Sequence, residues 1–333
     1  MNRNQLTVIF FLIISSLILT IGSVLSAPAG TDYFLYLPII QDPSPWQEVG
    51  LGSASGGGIS NTGDVFYPSL AIAPDGTPYV AWEDDSSGNS EIYIRAWNGS
   101  SWVEVGAGSA TDGGISNSIA GSFGASLAIA PDGMPYVAWS DDSSGNGEIY
   151  LRRWNGSSWE EVGAGSASGG GISNNAGHSS PPSLAIAPDG IPYVTWHDFS
   201  NVETEIYIRA WNGSSWAEVG AGSASGGGIS NNDGNSWDPS LAIAPDGTPY
   251  VGWYDFSNED DEIYVRAWNG SSWQEVGTDS ASDGGITNSI FASRHPSFAI
   301  APNGTPIIAW QVGNWNGLWT ITYIYIMSCL ECD

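Results

Sequence analysis

A text of about 57 residues is written through this chain five times, and that periodicity constrains the fold more than any other feature. Trp46, Trp102, Trp159, Trp216 and Trp273 each open a near copy, with steps of 56, 57, 57 and 57 residues. A fixed period of this size marks an array or a propeller. Within a copy, Ser69-Leu70-Ala71-Ile72-Ala73 meets Pro78-Tyr79-Val80-Ala81-Trp82 across the turn Pro74-Asp75-Gly76-Thr77. Pro, Asp and Gly are the residues such a hairpin turn needs. A second hairpin joins Glu91-Ile92-Tyr93-Ile94-Arg95-Ala96-Trp97 to Trp102-Val103-Glu104-Val105-Gly106 through Asn98-Gly99-Ser100-Ser101, and Asn-Gly is a strong hairpin signal. Four strands per copy, without a helical apolar period, predict one blade of an all-β propeller.

The phase of the chain ends sets the blade count. The first hairpin begins five times, at Ser69, Ser126, Ser183, Ser240 and Ser297, whereas the chain stops soon after Thr320–Ile326, before a fifth copy of the last strand. Trp46–Gly50 is a fourth strand with no hairpin before it. The expectation is therefore a five-bladed β-propeller of four-stranded antiparallel blades spanning residues 46–333, closed by the N-terminal strand completing the last blade. Closure would remove an exposed edge. A truncated array of six or seven blades is the alternative.

Composition narrows the function. Acidic residues outnumber basic ones 35 to 7, all seven basic residues are Arg, and the formal charge of -28 speaks against a nucleic-acid partner. Residues 1–26, with Arg3 ahead of the apolar run Leu6–Leu25, read as a secretory signal peptide or an uncleaved anchor, followed by a linker over 27–45. Either reading places the rest outside the cytoplasm. Two cysteines, Cys329 and Cys332, permit a tail disulfide but no disulfide framework.

The segments ISNN, PSLAIAPDGTPYVAW and EIYIRAWNGSSW resemble the repeats of secreted bacterial β-propellers related to the sialidase-like group, over residues 46–333. In that group the turn between third and fourth strands carries an Asp-box; here Asn98-Gly99-Ser100-Ser101-Trp102 keeps its Gly and Trp and lacks its Asp. In architecture alone the chain is similar to tachylectin-like sugar-binding propellers and to five-bladed arabinanases. Fold resemblance does not transfer activity.

Three repeated positions hold fourteen of the 17 Trp, which points to packing between blades. Arg95, Arg152, Arg209 and Arg266 share one third-strand position. Their repetition favours structural pairing with nearby acids such as Glu91 or Asp84 over a carboxylate-binding cluster. Asp84, Asp141, Asp198 and Asp255 follow the second-strand Trp by two residues. They are expected either to cap the loop through backbone amides or, with neighbouring oxygens, to hold calcium, the one cofactor the sequence suggests. No paired-His metal motif and no nucleophile elbow is present.

Both tight turns lie on one face of such a disc, so the connections on the other face are the ones that differ between copies. Tyr67, Phe123, His178, Trp237, Arg294 and His295 fall there and are the expected ligand-binding residues, gathered round the mouth of the central channel. The main expectation is a secreted, non-catalytic binding or adhesion module for an extracellular glycan or cell-surface polymer, preferably neutral because of the negative charge. The alternatives are a glycoside hydrolase of sialidase or arabinanase type, which needs two carboxylates in unlike environments at one asymmetric centre, and a purely structural surface domain.

Overall fold

The computed structural model describes residues 46–257, 260–315 and 319–329. The expected signal segment, the linker and Cys332 lie outside them. Cys329 is disulfide-bonded.

The described chain is all β. The first blade comprises β1 (Val65–Ile72), β2 (Pro78–Asp84), β3 (Glu91–Trp97) and β4 (Trp102–Glu104). The second comprises β5 (Ser122–Ile129), β6 (Pro135–Asp141), β7 (Glu148–Trp154) and β8 (Trp159–Glu161). The third holds β9 (Ser179–Ile186), β10 (Pro192–Asp198), β11 (Glu205–Trp211) and β12 (Trp216–Glu218). The fourth holds β13 (Ser236–Ile243), β14 (Pro249–Asp255), β15 (Glu262–Trp268) and β16 (Trp273–Glu275), and the fifth β17 (Ala292–Ile300), β18 (Pro306–Trp315) and β19 (Trp319–Ser328). Neighbouring strands are antiparallel and follow chain order in every sheet. This is the five-bladed propeller that the repeat predicts.

The core lies between blades. Ile92 and Ile94 of the first blade pack with Leu127, Val137 and Trp139 of the second, and the same set of positions recurs at the next three junctions. Trp139, Trp196 and Trp253 are at most 1% exposed, each edge-on to the Tyr of the third strand. An aromatic side chain fills the wedge that opens as the blades fan outward. Polar contacts repeat too: the amides of Leu127, Leu184, Leu241 and Phe298 donate to the hydroxyls of Ser69, Ser126, Ser183 and Ser240 in the preceding blade, at 2.9–3.0 Å.

The arginine expectation is corrected here. Arg95, Arg152, Arg209 and Arg266 donate not to Glu91 or Asp84 and their copies but to the carbonyls of Ile59, Ile115, Ile172 and Ile229, in the loop that enters each blade. Their strand neighbours across the ladder are Glu104, Glu161, Glu218 and Glu275. The long side chain reaches the loop carbonyl, and the charge of the cross-strand carboxylate acts on the guanidinium without an ion pair between them.

The expected N-terminal closing strand is not seen. Trp46–Gly50 forms no strand, and the fifth sheet has three described strands. Val49 stays with the first blade instead, where the Trp102 indole donates to its carbonyl at 2.7 Å. The cost is visible on both sides of the seam: Leu70 is 65% exposed where its copies Leu127, Leu184 and Leu241 are 7% exposed, and Ile324 and Ile326 are open to solvent.

Candidate functional site

The site is built by a bulge. Along each innermost strand the pairing register slips just before the conserved Ser of the repeat, as between Phe66 and Ser69 or Trp237 and Ser240. Pro68, Pro182, Pro239 and Pro296 supply no amide to the ladder at this point, which favours the break. Tyr67, Asp238 and His295, each ahead of a Pro, have φ of 48°, 47° and 51°, and Gly124, ahead of Ala125, has 66°. A non-glycine residue held in this region costs about 1–3 kcal/mol, and such strain concentrates at functional sites.

In the five copies this bulge position carries Tyr67, Gly124, Pro181, Asp238 and His295, five different residues in an otherwise repeated strand. All of them line one cleft of about 840 Å3 to which every blade contributes, so it lies at the mouth of the axis. Phe123 and Ser180 join from the position before, and Glu83 reaches in from β2. Glu83 also stands at a variable position, occupied by Ser140, His197, Tyr254 and Gln311 in the other copies. Repetition builds the scaffold, and two unrepeated columns make its centre asymmetric.

The two carboxyl groups of this cleft sit in different surroundings. Glu83 is 5% exposed, and burial pushes its carboxyl above the ordinary glutamate range, opposed by a hydrogen bond from the Gly124 amide and reinforced by the charge of Asp85. Asp238 faces two imidazoles. Its Oδ2 lies 2.8 Å from His295 Nδ1 and its Oδ1 3.8 Å from His197 Nδ1. The hydrogen bond to Asp238 holds His295 above its ordinary pKa, whereas burial lowers His197 to about 4 and keeps it neutral. A neutral His197 accepts a hydrogen bond from the Asp238 amide at 3.4 Å, which places its remaining proton on Nε2. Beside them Arg294 is paired with the buried Asp261 and lies 5.7 Å from the centre of the Tyr254 ring.

Of the six expected binding residues, Tyr67, Phe123 and His295 line the cleft. Trp237 instead packs edge-on against His197 and Phe199, at 5.0 and 5.2 Å between ring centres. His178 meets Phe199 at 6.0 Å and lies 3.8 Å from Asp142. Arg294 is engaged with Asp261 as described. None of these three lines the cleft. Glu83 escapes a search confined to the connections entering the first strand, because it sits on β2, and Asp238 lies one residue beyond Trp237, where that search stops; the signal that finds them is the pair of columns that fail to repeat.

Asp84, Asp141, Asp198 and Asp255 are buried and occupied by protein donors. Asp141 takes the Trp139 indole, the Ser122 hydroxyl and the Ser143 amide and hydroxyl, and the other three repeat the arrangement with small changes. These contacts tie the second strand to the loop that follows it and to the strand before. Among the described residues no group of three His, Cys, Asp or Glu is placed to hold a metal ion.

No family model and no curated protein sequence matches this chain. Solved structures resemble it in fold. One is an endo-arabinase from Bacteroides thetaiotaomicron, 13% identical, covering 80% of this chain and 94% of its own with a TM-score of 0.46. Another is an α-L-arabinanase of Penicillium chrysogenum complexed with arabinobiose, 16% identical, covering 77% and 80% with a TM-score of 0.46. A third, from Dyadobacter fermentans, is described as of unknown function, at 12% identity, 74% and 75% coverage and a TM-score of 0.49. The expectation of a non-catalytic binding or adhesion module is corrected at this point in favour of its hydrolase alternative, because the cleft holds two carboxyl groups, Glu83 and Asp238, in unlike surroundings. The solved structures above show the fold alone. Their activities remain theirs, and what this chain does is argued from its own side chains.

Proposed function

We propose that the axial cleft is the active site of a secreted glycoside hydrolase acting on a neutral polysaccharide. The observation that carries this reading is the pair Glu83 and Asp238: two carboxyl groups in one asymmetric cleft, one buried with a raised pKa, the other set against imidazoles. Separate environments are what divide acid from base or nucleophile in glycoside hydrolysis.

In this reading Glu83 in its acid form gives its proton to the glycosidic oxygen as the bond to the anomeric carbon breaks. Asp238 meets the positive charge that develops on the sugar, either by attacking the anomeric carbon or by taking a proton from the water that does. His295 and His197 fix the orientation of Asp238. Tyr67 and Phe123 offer ring faces to the apolar side of a pyranose or furanose. A formal charge of -28 and the engagement of Arg294 by Asp261 disfavour anionic glycans.

Two outcomes test the reading. Only protonated Glu83 can donate, so kcat/KM falls as pH rises through the raised pKa of this group, and the alkaline limb of the profile lies above the ordinary glutamate range. Asp238→Asn lowers kcat by about 100-fold or more while oligosaccharide affinity measured by calorimetry stays within a few-fold. A profile flat across the weakly acidic and neutral range, or an Asp238→Asn variant with wild-type kcat, contradicts it.

A further inference from the structure

At three junctions the loop ahead of a blade binds both of its neighbours through a constant set of contacts, and at the fourth it keeps the pair on the outgoing blade. Between the first and second blades, the Ile94 amide donates to the Ser109 carbonyl at 2.9 Å, the Ile115 amide donates to the Ile92 carbonyl at 2.8 Å, and the Ile115 carbonyl accepts from Arg152 of the next blade. The Trp159 indole adds a bond to the Val105 carbonyl at 2.8 Å. The following three junctions repeat the backbone pair at Ser166 and Ile172, Ser223 and Ile229, and Ser280 and Ile286. The first three loops are clasps with one side on the outgoing blade and the other on the incoming one.

The segment Gly50–Asn61 has the residues of that clasp, with Ser53 and Ile59 in the places of Ser109 and Ile115. Its incoming side is made, through Arg95 to the Ile59 carbonyl and Trp102 to the Val49 carbonyl. Its outgoing side is not. Strand β19 carries the matching surface: Trp310 pairs with Tyr325 as Trp82 pairs with Tyr93, which puts Ile324 and Ile326 in the places of Ile92 and Ile94. Ile92 and Ile94 are fully buried, but Ile324 and Ile326 are 65% and 70% exposed.

We infer that Gly50–Asn61 docks on β19 of the same chain and latches the ring shut, with the Ile326 amide donating to the Ser53 carbonyl and the Ile59 amide to the Ile324 carbonyl. The occupant is written in the repeat itself, since four copies show which loop covers such a strand. Joining within one chain is favoured because the two surfaces are tethered, at an effective concentration that a second copy in dilute solution does not match. Tyr67 and Glu83 stand on the first blade, His295 on the fifth, and Asp238 is bonded to His295, so the latch sets the spacing of the two carboxyl groups. That last consequence rests on the hydrolase reading; the latch does not.

The test is a charge placed on the exposed strand. Ile326→Asp should lower the melting temperature by about 10 °C or more, because the side chain is buried once the latch is shut, while Ile119→Asp, at a loop residue 93% exposed, should change it by no more than about 1 °C. Ser53→Cys with Ile326→Cys should form, on oxidation, a cross-link within a monomer. A melting temperature unchanged by Ile326→Asp overturns the latch. So does a cross-link found only between two chains, which would assign the surface to a second copy. Both readouts are independent of catalysis, so a chain that latches without hydrolysing any glycan would refute the proposed activity alone.

Discussion

Glu83→Gln lowers kcat/KM on an unactivated polysaccharide by about 100- to 10,000-fold. The loss arises because the buried amide keeps the volume and the hydrogen bond from the Gly124 amide but has no acidic proton to give to the leaving oxygen. It follows that the deficit shrinks on aryl glycosides whose leaving group needs no protonation. Steady-state rates on the two substrate types measure both effects, and an equal loss on both would remove Glu83 from the acid role. The fold is untouched by this change, since Gln and Glu differ little in size, and thermal unfolding provides the control.

Trp253→Ala produces the largest expected loss of stability. The side chain is 0% exposed, packs edge-on to Tyr264 with ring centres 6.0 Å apart, and donates through its indole to Asp255 at 3.2 Å. Removing it opens a large cavity between the third and fourth blades and leaves a buried carboxylate one donor short. Truncations of this kind cost about 3–5 kcal/mol, with about 1–3 kcal/mol more for the unsatisfied group if it finds no water. The neighbouring Phe256 is 48% exposed, and its replacement by Ala should cost much less. Urea titrations of the two variants give the comparison, and similar midpoints would contradict the interblade packing role of the Trp.

What the sequence makes legible follows from the range of the interactions involved. Turns and loop caps are local: Asp84 bonds the amide of Ser86 two residues away, and Asn98 accepts from the amides of Ser100 and Ser101, so their roles can be read from spacing. The blade and its order also follow from a repeated pattern of strands. The partner of Arg95 does not, because the Ile59 carbonyl lies 36 residues back in another element. The first-strand bulge was hidden for a related reason. Pro68 and its copies mark a break in the ladder, but only the folded strand shows that the preceding residue turns toward the axis. A reading that looks for function where the chain enters the first strand finds Tyr67, Phe123 and His295 and passes over Glu83, which stands on β2, and Asp238, one residue beyond Trp237. The mismatch at the seam is different again: the residues of a closing strand are present at Trp46–Gly50, but Val49 is held on the first blade.

The central claim is that this cleft breaks glycosidic bonds with Glu83 and Asp238. Its most direct test is the release of new reducing ends from a panel of neutral polysaccharides, including arabinans, xylans, galactans and glucans, with the wild-type chain set beside a variant carrying both Glu83→Gln and Asp238→Asn. The account predicts steady release from at least one polymer by the wild type and none above the uncatalysed rate by the double variant at equal melting temperature. No release by the wild type from any member of the panel, or equal release by the double variant, would contradict it.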